Sequence, residues 1–136
     1  MDKVPVLLLV EDEMRVRMLA AEVLSEAGFT IIGSGSAEEA LAVLQTRSDV
    51  RVLFTDVNMP GALDGLGLAQ VVHKGWPAIR ILIGSGRIRP RPGELPPGAQ
   101  FIAKPYAPSA LTAAVCALVQ GYRQGRTPDP LSATLS

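Results

Sequence analysis

The feature that most constrains this chain is an alternation. Short runs that are apolar at every position are separated by longer stretches whose apolar residues recur every three or four places. Val6 to Val10 is the clearest such run. A strand covered on one face alternates apolar and polar residues, so an unbroken run predicts a strand buried on both faces of a parallel sheet. Thr30 to Gly33, Val52 to Thr55, Ile79 to Ile83 and Phe101 to Ala103 predict four more strands.

The intervening stretches have helical period. Val16, Leu19, Ala20, Val23, Leu24 and Ala27 define one apolar helix face, and Gly28 follows where a left-handed C-terminal cap is common. Ser36 with Glu39 reads as a capping box, opening a helix that buries Ala40, Leu41 and Leu44. Asp64 is placed to cap a third helix that buries Leu68, Val71 and Val72 and stops near Gly75 and Pro77. Leu111, Val115, Leu118 and Tyr122 mark the face of a last helix, with Pro108 in its first turn.

Strands alternating with helices predict an α/β domain, a doubly wound five-stranded parallel sheet with helices on both sides. One segment breaks the pattern. "RIRPRPGELPPGAQ", Arg87 to Gln100, stands where a fourth helix is due, and four prolines and two glycines there forbid a full one. An irregular, degenerate connection with at most a turn or two of helix is expected. The domain is expected to occupy residues 1–122, and residues 123–136, which lack a helical apolar period, to form a flexible tail.

Composition narrows the function classes. Apolar residues make up 48% of the 136 and aromatics 4%, so the core is aliphatic. Lys plus Arg and Asp plus Glu balance at 13 each, which leaves no basic footprint for nucleic acid. The N-terminal apolar run is too short to cross a membrane and leads straight into acids, so neither a membrane span nor a signal peptide is expected. The lone Cys116 suits a reducing compartment and a packing role, and a cytoplasmic location is expected. His73, on a polar helix end, reads as solvated.

In a doubly wound sheet, ligands bind beyond the carboxyl ends of the strands. Those ends are distinctive here: Glu11, Asp12 and Glu13 after the first strand, Asp56 after the third, Ser85 within "GSG" after the fourth, and Lys104 after the fifth. Carboxylates within ~4 Å repel by about 4 kcal/mol per pair at an effective dielectric of 20, and so coexist only if protonated or neutralised by a cation. Oxygen donors of this kind suit Mg²⁺. A divalent ion, an ammonium and a hydroxyl around one carboxylate make a site for a phosphoryl group, with Asp56 as the nucleophile that becomes an acyl phosphate.

"LLLVEDE", "TDVNMPG" with "LDGL" behind it, "ILIGSG" and "FIAKPY" occur in an order that resembles the response-regulator receiver domain of two-component signalling, from about Val4 to Tyr122. The resemblance implies the flavodoxin-like receiver fold; a start at Met1 favours the expectation of a stand-alone protein, with a fragment of a hybrid kinase as the alternative. It implies that a histidine kinase or phosphotransfer protein phosphorylates Asp56. Asp12, Asp56 and the Asn58 carbonyl would ligate Mg²⁺, with Glu11 assisting through water. Ser85 and Lys104 would each bind a phosphoryl oxygen, the Lys104–Pro105 bond would be cis, and Ser85 with Phe101 would form the switch. Asn58 and Arg87 fall at positions that tune phosphoryl lifetime.

The departures have consequences. Phe101 lacks a tyrosine hydroxyl, so a hydrogen-bonded switch is excluded. Gly84 loosens the end of the fourth strand. The Arg87–Gln100 segment replaces a helix that helps form the usual dimer and output face, although a homodimer is still allowed. No DNA-binding domain is expected after the receiver, so output is expected through protein contacts, phosphoryl shuttling to another carrier or a kinase partner. No enzyme activity is expected beyond self-phosphorylation from small donors and self-dephosphorylation.

Three other functions compete with this reading. A receiver-like docking module that is never phosphorylated would not need the intact acidic cluster. A metal-dependent phosphatase would want a second acid two residues after the nucleophile, where this chain has Asn58. Nucleotide binding would rest on "GSGSAEEA" or "GSGRIR", and neither carries the third glycine of the dinucleotide fingerprint.

Overall fold

The computed structural model describes residues 4–86 and 90–123, with residues 92 and 121–123 described by their backbone alone. Five strands alternate with four α-helices: β1 (Val6–Val10), α1 (Met14–Glu26), β2 (Thr30–Ser34), α2 (Ala37–Thr46), β3 (Val50–Asp56), α3 (Gly65–Gly75), β4 (Arg80–Ser85), β5 (Gln100–Ala103) and α4 (Pro108–Arg123). All pairings are parallel and the strand order is β2-β1-β3-β4-β5. The chain winds first toward β2 and then back past β1, so the switch point lies between β1 and β3.

Strand alternation divides the core into two layers. Leu8, Val10, Leu53, Ile81 and Ile83 pack against Ala40 and Leu44 of α2 and Leu68 and Val72 of α3. Leu7, Leu9, Val52, Phe54 and Leu82 pack against Ala20 and Leu24 of α1 and Leu111, Val115 and Leu118 of α4. Burial on both faces is what the unbroken apolar run of β1 requires. One irregularity interrupts the ladder: Val6 pairs with Val50 but Leu7 with Val52, so Arg51 is an extra residue at the far end of β3.

The helix ends follow local chemistry. The Ser36 hydroxyl accepts from the Glu39 amide at 3.1 Å, but the Glu39 carboxylate accepts from the Gly35 amide at 2.9 Å. The box therefore closes one residue upstream of the expected partner. The Asp64 carboxylate accepts from the Gly67 amide at 2.8 Å, and Gly28 adopts φ +102° after α1, as expected. Three positions expected to be buried are exposed: Leu19 (65%), Val71 (39%) and Ala27. Each sits at the margin of an apolar stripe wider than the strip of helix that touches the sheet.

Between β4 and β5 the described residues of the predicted degenerate segment form a 3-10 turn, Pro92–Glu94, and no α-helix. Leu95 and Ala99 pack on the α2/α3 layer, Pro96 is buried, and the Gln70 amide donates to the Glu94 carbonyl at 3.1 Å. These contacts cover part of the sheet that a helix would otherwise cover. Arg87 and the tail beyond residue 123 lie outside the described residues. Among the described residues no helix is long and apolar enough to cross a membrane.

Candidate functional site

Period-two alternation assembles the site. Glu11 continues the row Leu7–Leu9, Asp56 the row Val52–Phe54, and Lys104 the row from Ile102, so all three leave the sheet on the α1/α4 side. The Lys104 ammonium lies 3.0 Å from Glu11 Oε1 and 3.2 Å from Asp56 Oδ1. The lysine stands at the end of β5 and must cross β4 to reach Asp56 on β3. Gly84 lies on that path: a Cβ there would sit 3.2 Å from the Phe54 ring and 3.6 Å from Lys104 Cε. The glycine expected to loosen the strand end therefore also makes room for the lysine and for an aromatic ring.

Glu11 is 5% exposed, and its polar atoms are engaged. Its amide donates to the Ser34 carbonyl at 3.0 Å, and its carbonyl accepts from Arg17 Nη1 at 2.6 Å. One carboxylate oxygen accepts from Lys104, and the other accepts from the Glu13 amide at 3.1 Å. Burial pushes the Glu11 carboxyl above the usual range, against the pull of the Glu13 amide and of Lys104. Burial alone would lower the Lys104 ammonium, but the Glu11 hydrogen bond and the Asp56 and Glu11 charges outweigh it, and its value is raised.

The signs predict a pH dependence. A carboxyl raised by folding stabilises the protein in acid, and that contribution is lost as pH rises through its folded value. In metal-free protein, the melting temperature of wild type relative to Glu11→Gln should therefore be greatest at low pH. The difference should shrink as pH rises past the ordinary carboxylate range. A difference that grows with pH would contradict this assignment. The raised Lys104 keeps its contribution throughout the neutral range and loses it only in strong alkali.

Asp12 is exposed beside this pair. Carboxylate oxygens of Glu11, Asp12 and Asp56 all lie within 4.8 Å of one another. At that separation each ionised pair repels by about 3.5 kcal/mol at an effective dielectric of 20, and a single ammonium does not neutralise three acids. A hard divalent cation fits this all-oxygen donor set.

The remaining candidates lie on β4, on β5 and in the loop after β3. Ser85 is buried at the end of β4, and its carbonyl accepts from the Lys104 amide at 2.9 Å. Half-buried Phe101 pairs with Ile83, so by alternation Ser85 and Phe101 share the opposite sheet face from Lys104. Asn58 is exposed two residues beyond β3. The Lys104–Pro105 bond is cis, as expected.

Sequence reasoning missed three participants. Arg17 binds the Glu11 carbonyl from one turn inside α1. Gly65 begins α3 so close to β3 that a Cβ there would be driven into the Asp56 carbonyl oxygen. Tyr106 packs against Phe54 with ring centroids 6.1 Å apart and the rings tilted by 59°, and burial raises its phenol. With Glu11, Asp56 and Lys104 it lines a pocket of about 10 Å³, near the room needed for one water. The "LDGL" motif contained Gly65, but nothing in the spacing of Arg17 or Tyr106 announced a contact.

Residues 7–116 match the response regulator receiver domain. The probable transcriptional regulator ycf27 of Cyanophora paradoxa is 32% identical over 132 residues, 96% of this chain and 52% of that protein. Sensor kinase CckA of Brucella abortus is 36% identical over 80 residues, 58% of this chain and 8% of the kinase. The crystal structure of NtrX from Brucella abortus superposes with a TM-score of 0.82 at 28% identity, covering 90% of this chain and 29% of NtrX. The chain thus spans about half the length of one of these proteins and far less of the others. A match that runs from β1 into α4 and through every strand end discussed above fixes the assignment: the chain belongs to the response regulator receiver domain family of two-component signalling.

Proposed function

We propose that this receiver accepts a phosphoryl group on Asp56 from a histidine kinase or phosphotransfer protein and signals through protein contacts that depend on it. The observation that carries this reading is Lys104 Nζ, held 3.2 Å from Asp56 Oδ1 and 3.0 Å from Glu11 Oε1 beside three clustered carboxylates. A free Asp56 oxygen attacks phosphorus, the bond from phosphorus to the donor nitrogen or oxygen breaks, and an acyl phosphate forms. Lys104 then shifts its charge from the carboxylate to a phosphoryl oxygen, and Glu11 keeps the ammonium in place. Asp12, Asp56 and the Asn58 carbonyl would hold Mg²⁺, with Glu11 behind them. Bound there, the ion supplies positive charge for the equatorial oxygens of the transferring group.

Ser85 and Phe101 are the proposed switch. Their shared sheet face supports it, because a Ser85 hydroxyl drawn to the phosphoryl group frees space on the side where Phe101 stands. The kinship with a segment of a sensor kinase is compatible with a histidine-kinase donor. The site's place inside the cell follows from that donor and is part of the same proposal.

Incubation with acetyl phosphate and Mg²⁺ tests the reading directly. Intact mass should show one phosphoryl adduct, and peptide mapping should place it on Asp56. An adduct elsewhere, or none, rejects the assignment. The ion has a separate signature. At ten times its dissociation constant, Mg²⁺ should stabilise the fold by about 1.4 kcal/mol through mass action, read as a rise in melting temperature. A flat response across millimolar Mg²⁺ would leave the acidic cluster without its cation.

A further inference from the structure

The turn that carries the acids, Glu11 to Glu13, is gripped at both ends by one residue. The Arg17 amide donates to the Glu13 carbonyl at 2.9 Å, and Arg17 Nη1 donates to the Glu11 carbonyl at 2.6 Å. Asp12 is the residue between the two anchors. The Arg17 side chain turns back toward the start of α1, as long helical side chains do, and lies across the end of β2. A Cβ at Gly33 would be 3.4 Å from Arg17 Cδ, and one at Gly35 would be 3.3 Å from Arg17 Nη1. The glycines of "GSGS" thus form the bed of an arginine, which explains a motif that first invited comparison with nucleotide-binding loops.

Local electrostatics alone would not choose a cation here. The first turn of α1 has no acidic residue, the Glu13 side chain makes no capping bond, and a positive charge near a helix N-terminus opposes the helix dipole. The short charge-assisted bond to a carbonyl offsets that conflict. We infer that Arg17 is a positioning residue for the acidic site, holding the Glu11–Glu13 turn so that Asp12 presents its carboxylate beside that of Asp56. This inference rests on the reading of the acids as a Mg²⁺ site.

The two roles open to Arg17 predict opposite signs. If Arg17 acted only through its charge, removing it beside three carboxylates would tighten cation binding. If it positions the turn, removing it weakens binding although the site becomes more negative. The experiment is calorimetric titration of the full chain with Mg²⁺, together with amide hydrogen exchange at Glu13 in metal-free protein. Arg17→Ala should raise the dissociation constant about five- to tenfold, on the scale of the net contribution of one ordinary hydrogen bond, and speed exchange at Glu13. Arg17→Lys, which keeps charge and reach but loses the fork, should fall between it and wild type.

A third variant separates place from charge. Gly33→Val suits a strand and occupies the space of the Arg17 stem, so it displaces the guanidinium without removing it. It should weaken Mg²⁺ binding as Arg17→Ala does. Wild-type binding with folded variants that bind Mg²⁺ equally or more tightly overturns the positioning role and leaves the phosphoacceptor reading intact. Wild type that binds no Mg²⁺ overturns both.

Discussion

Asp56→Asn should lower phosphorylation by acetyl phosphate below detection while leaving the melting temperature close to that of wild type. The amide has the shape of the carboxylate but no lone pair nucleophilic enough to attack phosphorus, so the covalent step has no substitute atom. The fold should survive because Lys104 keeps its 3.0 Å bond to Glu11 when it loses Asp56. Removing one of three clustered acids also relieves repulsion, so stability without metal should hold or rise slightly. Intact mass and a thermal melt on the same sample check both halves. An adduct that persists on the variant would place the acceptor elsewhere. A collapsed melt would make Asp56 a structural residue.

Gly65→Ala should have the largest effect on the fold itself. The new Cβ would drive into the Asp56 carbonyl oxygen and would sit 2.7 Å from the Asp56 carbonyl carbon and 2.9 Å from Val57 Cα. All three atoms are backbone, so no side chain can rotate away. The Gly65 amide also donates to the Val57 carbonyl at 2.9 Å, which ties α3 to the same segment. Relief requires α3 to part from β3, at a cost on the order of 3 kcal/mol or more, or roughly 10 °C of melting temperature. The displaced strand end carries Asp56, so phosphoryl acceptance should fall as well. Gly75→Ala is the control: nothing lies within 4 Å of its Cβ, and it should be neutral or slightly stabilising. Equal melts for the two variants would show that the close approach is not what holds α3.

Local features of this chain are legible in its sequence, and features set by approach in space are not. The strands, their parallel pairing and the meeting of Asp12, Asp56 and Lys104 were legible because apolar period and strand-end chemistry are local, and the fold class converts local order into one edge. The lost helix between β4 and β5 was legible for a similar reason, since prolines forbid it wherever they stand. Contacts set by three-dimensional approach were not legible. Arg17 is as long and polar as any surface arginine, and only the glycines within and just past β2, sixteen and eighteen places on, reveal its bed. Gly84 looked like a weakness until Lys104 and Phe54 were seen filling its space. Leu19 and Val71 failed differently: period marks a stripe but not its width.

The extra residue Arg51 bears on how this molecule can change. It lies between Val50 and Val52, at the opposite end of β3 from Asp56, and every pairing from Leu7–Val52 onward is regular. Deleting it would join Val50 to Val52 as ordinary strand neighbours and leave the direction of Asp56 unchanged. The same deletion between Phe54 and Asp56 would turn the acid to the other side of the sheet, away from Lys104. Tolerance to insertion and deletion is therefore lopsided: drift in length can accumulate at the strand entrances, while a single step at the exits disconnects the chemistry.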